Sequence, residues 1–150
     1  MAHSFTNVVV HLVFSTKDRT PLIAPELREP LHRYIGGVVR GERGLLLAAG
    51  GVADHLHLLA RFNADRSVAT MARLIKANSS RWMNQRSDLA GRFAWQVGYG
   101  AFSVSESGVP AVTRYIHDQE ARHERMSFEE ELVTLLERHG IAYDERYLLG

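Results

Sequence analysis

Residues 44–62 have the sequence GLLLAAGGVADHLHLLARF, which predicts a β-hairpin. Two apolar runs, 44–52 and 55–62, flank a short turn at Ala53-Asp54. Since alternate residues of a strand point to opposite faces, the second run has one wholly apolar face and one that carries His55 and His57. A hairpin of this kind needs further strands and helices to cover it.

Elements predicted on either side of the hairpin supply that cover. The β-branched run 7–15 indicates a central strand, and alternation over 93–105 indicates another. Apolar spacing predicts helices over 24–40, 67–86, 109–123 and 127–138. The predicted fold class is therefore α+β: a ferredoxin-like (RRM-like) antiparallel sheet with helices packed on it, plus a C-terminal helix pair.

The composition is that of one globular domain over residues 1–150. The absence of cysteine excludes disulfide scaffolds, thiolate metal sites and cysteine nucleophiles. No apolar run approaches the roughly 20 residues that span a bilayer, and the first residues lack the pattern of a signal peptide. We expect a cytoplasmic protein with no membrane partner.

The charge is unevenly distributed along the chain. Residues 1–114 contain 14 Lys and Arg against 8 Asp and Glu, whereas residues 115–150 contain 4 against 9. Of the 18 basic residues, 16 are arginine, which binds phosphate bidentately and stacks on bases. This bias suits a nucleic-acid partner, although the codon usage of a GC-rich genome explains it equally well.

The histidine pair of the hairpin is the first candidate site. His55 and His57 lie two residues apart, so a strand would hold their imidazoles about 7 Å apart on one face, where both can bind one divalent cation. Such a site needs a third ligand. The alternative is two strand histidines with ordinary hydrogen bonds; for the neighbouring His11, a buried and hydrogen-bonded histidine is the favoured interpretation.

Tyr115 and Gln119 form the second candidate. Four residues apart, they share one face of a helix, beside the apolar stripe of Val109, Val112 and Ile116. Side chains there can line a cleft. The alternative is a boundary tyrosine that packs its ring and hydrates its hydroxyl.

Basic and aromatic residues form the third candidate site. The predicted helix 67–86 carries Arg73, Lys76, Arg81 and Arg86 among small polar residues, a composition typical of phosphate contacts and also of a solvated helix face. Of these four, Arg73, Lys76 and Arg81 are the candidate DNA contacts. Nearby aromatic residues could stack on bases, but core packing is the favoured interpretation: Trp95, Tyr99 and Phe102.

Taken together, these segments resemble the small single-tyrosine transposases of bacterial insertion sequences, in the HUH endonuclease superfamily. The superfamily is named for a His-hydrophobic-His motif, here His55-Leu56-His57. The resemblance covers nearly the whole chain, in the order VHLVFSTKDRTPLI (10–23), GVADHLHLL (51–59), IKANSSRW (75–82), WQVGYGAFSVSES (95–107) and YIHDQEARH (115–123).

The resemblance implies a DNA transposase and endonuclease that cleaves and rejoins single-stranded DNA through a 5′-phosphotyrosine intermediate. Tyr115 would be the nucleophile, and His55, His57 and Gln119 would bind Mg²⁺ or Mn²⁺. The implied partners are DNA hairpins at the ends of the element and a second copy of the chain, in a homodimer with composite sites. The basic body would then hold DNA, and the acidic tail, mainly solvated, would dock on the partner subunit.

Other functions fit parts of the pattern. One is a domesticated relative that processes dispersed palindromic repeats. Another is a non-catalytic binder of single-stranded nucleic acid, and a third is a metal-dependent hydrolase of small phosphoesters in which water replaces the tyrosine.

Overall fold

The computed structural model describes residues 3–86, 88–89 and 91–148. Within these ranges four strands form one antiparallel sheet in the order β2-β3-β1-β4: β1 (Val8–Ser15), β2 (Leu45–Val52), β3 (His55–Phe62) and β4 (Gly100–Ser103). Five α-helices accompany them: α1 (Pro25–Gly41), α2 (Val68–Asn84), α3 (Val109–His117), α4 (Gln119–His123) and α5 (Phe128–Arg138). The predicted α+β, ferredoxin-like fold is confirmed.

The register of the sheet places both histidines in the first half of the inner strand β3. β1 pairs with β3 from Val8 opposite Phe62 to Ser15 opposite His55, so that His57 lies opposite Val13. β2 and β3 form the predicted hairpin around the turn at Ala53-Asp54, with one irregularity between Leu46 and Ala48. Because β3 has strands on both sides, its backbone is held along its whole length.

The two faces of the sheet have different partners. Helices α1 and α2 cover one face and enclose the largest apolar core, whose central members are Leu12, Phe14, Leu31, Ile35, Leu56, Leu58, Met71 and Ile75. Helices α3 and α5 cover the other face through two smaller apolar clusters, one around Leu59 and Ile116 and one around Phe128 and Leu132. Each fully buried side chain of this size contributes roughly 1.5–3 kcal/mol, so most of the apolar stabilisation lies on the α1/α2 side.

Local signals in the sequence set several helix ends. Pro25 occupies the first turn of α1, where its missing N–H costs nothing. The Ser67 side chain accepts a hydrogen bond from the Thr70 amide at the start of α2. At the start of α5, Ser127 and Glu130 form the predicted capping box. These helices begin within a residue or two of the predicted positions.

The strand predicted over 93–105 is much shorter in the structure. Only Gly100–Ser103 pairs as a strand, with an isolated bridge between Thr16 and Trp95. The Trp95 indole donates to Ser79 Oγ, 2.9 Å away, and packs edge-on against Phe14. Trp95 therefore anchors this segment to α2 and to the main core.

The helix predicted over 109–123 is divided in two. α3 ends at His117, and the Asp118 amide bonds back to the Tyr115 carbonyl, a tight turn that interrupts the α-helical pattern. α4 then begins at Gln119. Tyr115 and Gln119 consequently lie on two successive helices instead of one face of a single helix. None of the described helices is long and apolar enough to cross a membrane.

Candidate active site

β3 directs His55 and His57 into the space under α3, α4 and α5. Both side chains are fully buried, and their ring centroids lie 5.2 Å apart. Their Nε2 atoms face one carboxylate oxygen, Glu131 Oε1, at 3.5 Å from His55 and 3.0 Å from His57. The strand spacing predicted from the sequence thus brings the two imidazoles to a common acceptor.

The second nitrogen of each imidazole has its own partner. His55 Nδ1 lies 2.8 Å from Asp54 Oδ1, and His57 Nδ1 lies 2.8 Å from His11 Nε2. Such contacts fix the orientation of the rings and are the usual support behind metal-binding histidines. His11 is itself buried and hydrogen-bonded, as predicted, and burial together with the adjacent His57 lowers its pKa to about 3.

Glu131 on α5 is the centre of a buried polar cluster. Its carboxylate accepts hydrogen bonds from four side chains: His57 (3.0 Å), His123 (2.8 Å), Gln119 (3.0 Å) and Tyr115. Burial alone would raise the pKa of this carboxyl, but the hydrogen bonds from His123, His57 and Tyr115 hold it well below its usual range. The cluster therefore contains a charged carboxylate beside His57, whose pKa is lowered by burial.

The donor atoms of the cluster suit a divalent cation. The ligand atoms of His55, His57 and Glu131 all lie within 4.8 Å of one another. Gln119 Oε1 lies 2.9 Å from His55 Nε2 and adds an amide oxygen. Two imidazoles with carboxylate and amide oxygens match the ligands of first-row divalent ions, and the carboxylate supplies the negative charge that such an ion requires.

Glu131 is the residue that sequence reasoning missed. α5 has an apolar stripe of Phe128, Leu132, Leu135 and Leu136, and Glu131 lies within that stripe. The other acidic residues of 115–150 are partly or fully exposed, as expected of a solvated tail. The signal available in the sequence was an acidic residue on the apolar face of an amphipathic helix. Because a carboxylate is buried only with polar partners, such a residue indicates a buried polar site.

Tyr115 lies beside the histidines in the same chain. Its hydroxyl donates to Glu131 Oε2, and its ring centroid lies 5.7 Å from that of His57. Burial and the adjacent Glu131 carboxylate raise the pKa of the Tyr115 phenol. The phenol is therefore protonated here, with its proton directed at the carboxylate.

The basic residues predicted on α2 are not part of this cluster. Arg73, Lys76 and Arg81 belong to the helix on the opposite face of the sheet, where Arg73 and Arg81 are exposed. Lys76 Nζ donates to the carbonyl oxygens of Val97 (2.8 Å) and Gly98 (2.9 Å). Of the three aromatic residues considered for base stacking, Trp95 and Phe102 are buried in the core and Tyr99 is 40% exposed.

The family model for IS200-like transposases matches residues 4–119. The chain belongs to this family. The match contains both histidines, Tyr115 and Gln119 of this IS200-like transposase, whereas Glu131 lies beyond its end. No curated protein matches the chain.

Two solved structures share the fold of this IS200-like transposase. A candidate transposase from Deinococcus radiodurans R1 is 21% identical, with a TM-score of 0.62 over 79% of this chain and 95% of the other. A REP-associated tyrosine transposase bound to a REP hairpin is 13% identical, with a TM-score of 0.62 over 97% of this chain and 91% of the other. At these identities the likeness concerns the fold.

Proposed function

We propose that this IS200-like transposase cleaves and rejoins single-stranded DNA at the ends of an insertion sequence through a covalent 5′-phosphotyrosine at Tyr115. The observation that carries the proposal is the contact of the Tyr115 hydroxyl with Glu131, the carboxylate that also contacts His57. This contact supports the proposal because it brings the proposed nucleophile and the proposed metal ligands to one carboxylate.

We propose that His55, His57 and Gln119 bind Mg²⁺ or Mn²⁺, with Glu131 as an additional oxygen ligand. A bound divalent ion would polarise the scissile phosphate and stabilise the charge on the leaving oxygen. His11 and Asp54 would hold the two imidazoles in position through their second nitrogens, 2.8 Å away in each case.

The bond changes follow from the position of the phenol. The Tyr115 oxygen attacks phosphorus, and the forming bond makes the phenol proton strongly acidic, so that it passes through the Glu131 carboxylate to water while the bond from phosphorus to the 3′ oxygen of the upstream strand breaks. The 3′ oxygen leaves with the bonding electrons and takes a proton from water. Rejoining is the reverse reaction: a 3′ hydroxyl attacks the phosphotyrosine and releases the phenol. No net hydrolysis occurs, so the energy of the phosphodiester is kept.

The proposed substrates are single-stranded DNA hairpins. Support comes from the family and from the shared fold of a tyrosine transposase bound to a REP hairpin. We propose that α2 contacts DNA phosphates, away from the cleavage centre, through Arg73, Lys76 and Arg81. Lys76 also donates hydrogen bonds to the carbonyl oxygens of Val97 and Gly98. The reaction is proposed to take place in the cytoplasm, where the DNA substrate lies.

The test is a denaturing gel with labelled single strands from both flanks of the chain's own gene, incubated with Mg²⁺ or Mn²⁺. We expect a covalent protein–DNA band that does not form when chelator is present from the start and that neither Tyr115→Phe nor His55→Ala forms. Peptide mass spectrometry should place the adduct on Tyr115. Absence of the band over both flanks overturns the proposal, and free cleaved DNA without an adduct indicates hydrolysis by water.

We further propose a homodimer in which the contact between Tyr115 and the histidine cluster is made between the two copies, so that a tyrosine from one copy serves the histidines of the other. A mixture of Tyr115→Phe and His55→Ala chains tests this arrangement. If the sites are composite, the mixture forms the adduct that neither variant forms alone. A mixture without adduct shows that each chain uses its own tyrosine, as in the contact between Tyr115 and Glu131 seen within one chain.

A further inference from the structure

Arg122 on α4 stacks on the ring of Tyr115. The central carbon of its guanidinium lies 4.3 Å from the ring centroid. The Nε atom of Arg122 is buried, and no described residue accepts a hydrogen bond from it. A buried donor without an acceptor is destabilising, so this guanidinium has hydrogen-bonding capacity that an acceptor from outside the chain would use.

The surroundings of Arg122 show where such an acceptor would lie. A shallow cleft of about 550 Å³ opens beside the tyrosine and is lined by Ala111, Arg114, Tyr115, His117, Asp118 and Arg122. A second cleft of about 210 Å³ shares Asp118 and Arg122 with the first and continues along Ala121, Arg125 and Met126. Arg122 thus lies at the junction of two open clefts, one of which contains the Tyr115 side chain.

The described residues offer no strong acceptor for this guanidinium. Among the described residues no ion pair joins Arg122 to a carboxylate, and the nearby Glu131 already accepts four hydrogen bonds. Three arginines and one acid line the two clefts, which gives them an excess of positive charge. A phosphodiester matches both properties, because its two free oxygens accept the paired donors of a guanidinium.

We propose that Arg122 binds the scissile phosphodiester and, through its stack on the ring, positions Tyr115 for attack. This inference rests on the proposed function, since it assigns the substrate contact of the same site. The stack leaves the donors at the guanidinium edge available, so that one side chain contacts both the nucleophile and the group attacked.

Arg86 supplies a matched control. It too stacks on an aromatic ring, that of Trp82 at 4.4 Å, and it too has a buried Nε without a described acceptor. Arg86 follows α2 on the other side of the sheet and lines neither cleft. Arg86→Gln therefore removes the same charge and a similar stack at a distance from Tyr115.

The first measurement is the single-turnover rate of adduct formation at saturating DNA from the gene flanks. We expect Arg122→Gln to lower this rate at least tenfold, Arg122→Lys to lower it less, and Arg86→Gln to stay within twofold of wild type. Thermal unfolding of all four chains identifies any loss of folding. A rate for Arg122→Gln within twofold of Arg86→Gln overturns the inference.

The second measurement separates this inference from the proposed function. Fluorescence anisotropy gives the affinity of each chain for the same labelled strand, without requiring cleavage. We expect weaker binding by Arg122→Gln, and a slope of log Kd against log salt that is smaller by about 0.7, the value for one phosphate of a single strand. If wild type forms no adduct, the proposed function fails and the anisotropy decides alone: equal affinity and salt dependence of Arg122→Gln and wild type overturn the role of Arg122.

Discussion

Gly50 in β2 lies directly against the main-chain carbonyl of Ile116 in α3. A Cβ atom on residue 50 would overlap the carbonyl oxygen of Ile116 and also press on its side chain. The helix that carries Tyr115 therefore approaches the sheet this closely only because residue 50 has no side chain. The position of the proposed nucleophile depends on one missing methyl group.

Gly50→Ala is accordingly expected to push α3 away from β2. We expect a loss of about 1–3 kcal/mol in the free energy of unfolding, together with slower adduct formation as Tyr115 moves away from Glu131. Thermal or denaturant unfolding and the gel assay measure the two effects. Gly37→Ala is the control, since no atom lies within 4 Å of a Cβ there; on α1 it should be neutral or stabilise by about 0.5–1 kcal/mol. Equal unfolding of Gly50→Ala and wild type would contradict the expectation.

Glu131→Gln keeps the shape of the side chain and removes its charge. Because this carboxylate is, among the described residues, the acidic group whose ligand atom lies within 4.8 Å of those of both histidines, we expect the affinity for Mn²⁺ to fall at least tenfold. Isothermal titration of the purified chain with Mn²⁺ measures this change. Glu129→Gln, on the same helix and outside the cluster, should titrate like wild type. An unchanged Mn²⁺ affinity in Glu131→Gln would show that the carboxylate is not a ligand.

The exposed arginines of α2 are expected to affect DNA binding only through their charge interactions with phosphates. If Arg73 and Arg81 each contact a phosphate, each substitution by Gln should reduce the slope of log Kd against log salt by about 0.7 for single-stranded DNA. The rate of adduct formation at saturating DNA should stay the same, because α2 lies across the sheet from Tyr115. Arg33→Gln, whose partner is Glu29 on the same helix, serves as control. Identical salt slopes in all three variants would remove α2 from the DNA-binding surface.

Acid should destabilise the fold through His32 of α1. Burial and the neighbouring Arg28 lower the pKa of His32 to about 4, against 6.5 for an unperturbed histidine. Between these values the unfolded chain binds a proton that the folded chain does not, so stability is full above pH 6.5 and falls as the pH approaches 4. For a partly exposed side chain the loss is on the order of 1–2 kcal/mol, or a few degrees in Tm.

His32→Gln removes this contribution and should flatten the dependence of Tm on pH between 6.5 and 4. His11, with a pKa lowered to about 3, also reduces stability in acid. The His32→Gln variant keeps this contribution of His11. The comparison is therefore between the two slopes, measured by thermal unfolding at closely spaced pH values. Parallel curves would mean that His32 titrates alike in the folded and unfolded chains.

Local signals were enough to predict most of the scaffold. The alternation in 55–62 placed His55 and His57 on one face of β3, and the capping residues Ser67 and Ser127 located two helices. Such features depend on neighbours in the sequence, and the sequence shows them directly. The antiparallel order of the sheet followed from the order of the elements.

The remaining features depend on contacts between distant residues. Trp95 belongs to the main core, where Ser79, 16 residues earlier, accepts its indole hydrogen bond. Glu131 is buried because His57, 74 residues earlier, faces it across the interface between β3 and α5. The pattern of α5 alone indicates an acidic residue, Glu131, on its apolar face, but it does not indicate that His57 is the partner.

The alternation of side chains between the two faces of β3 also limits which insertions and deletions the protein tolerates. Even-numbered residues of the strand pack against α1 and α2, and odd-numbered residues from 55 to 59 face α3, α4 and α5. Insertion or deletion of one residue in the turn at Ala53-Asp54 would exchange the two sets, placing imidazoles against Leu31 and Ile35 and leucines against Glu131. A substitution in β3 changes one side chain on one face of the sheet. A change of length in this turn, in contrast, disrupts both the apolar core and the histidine cluster.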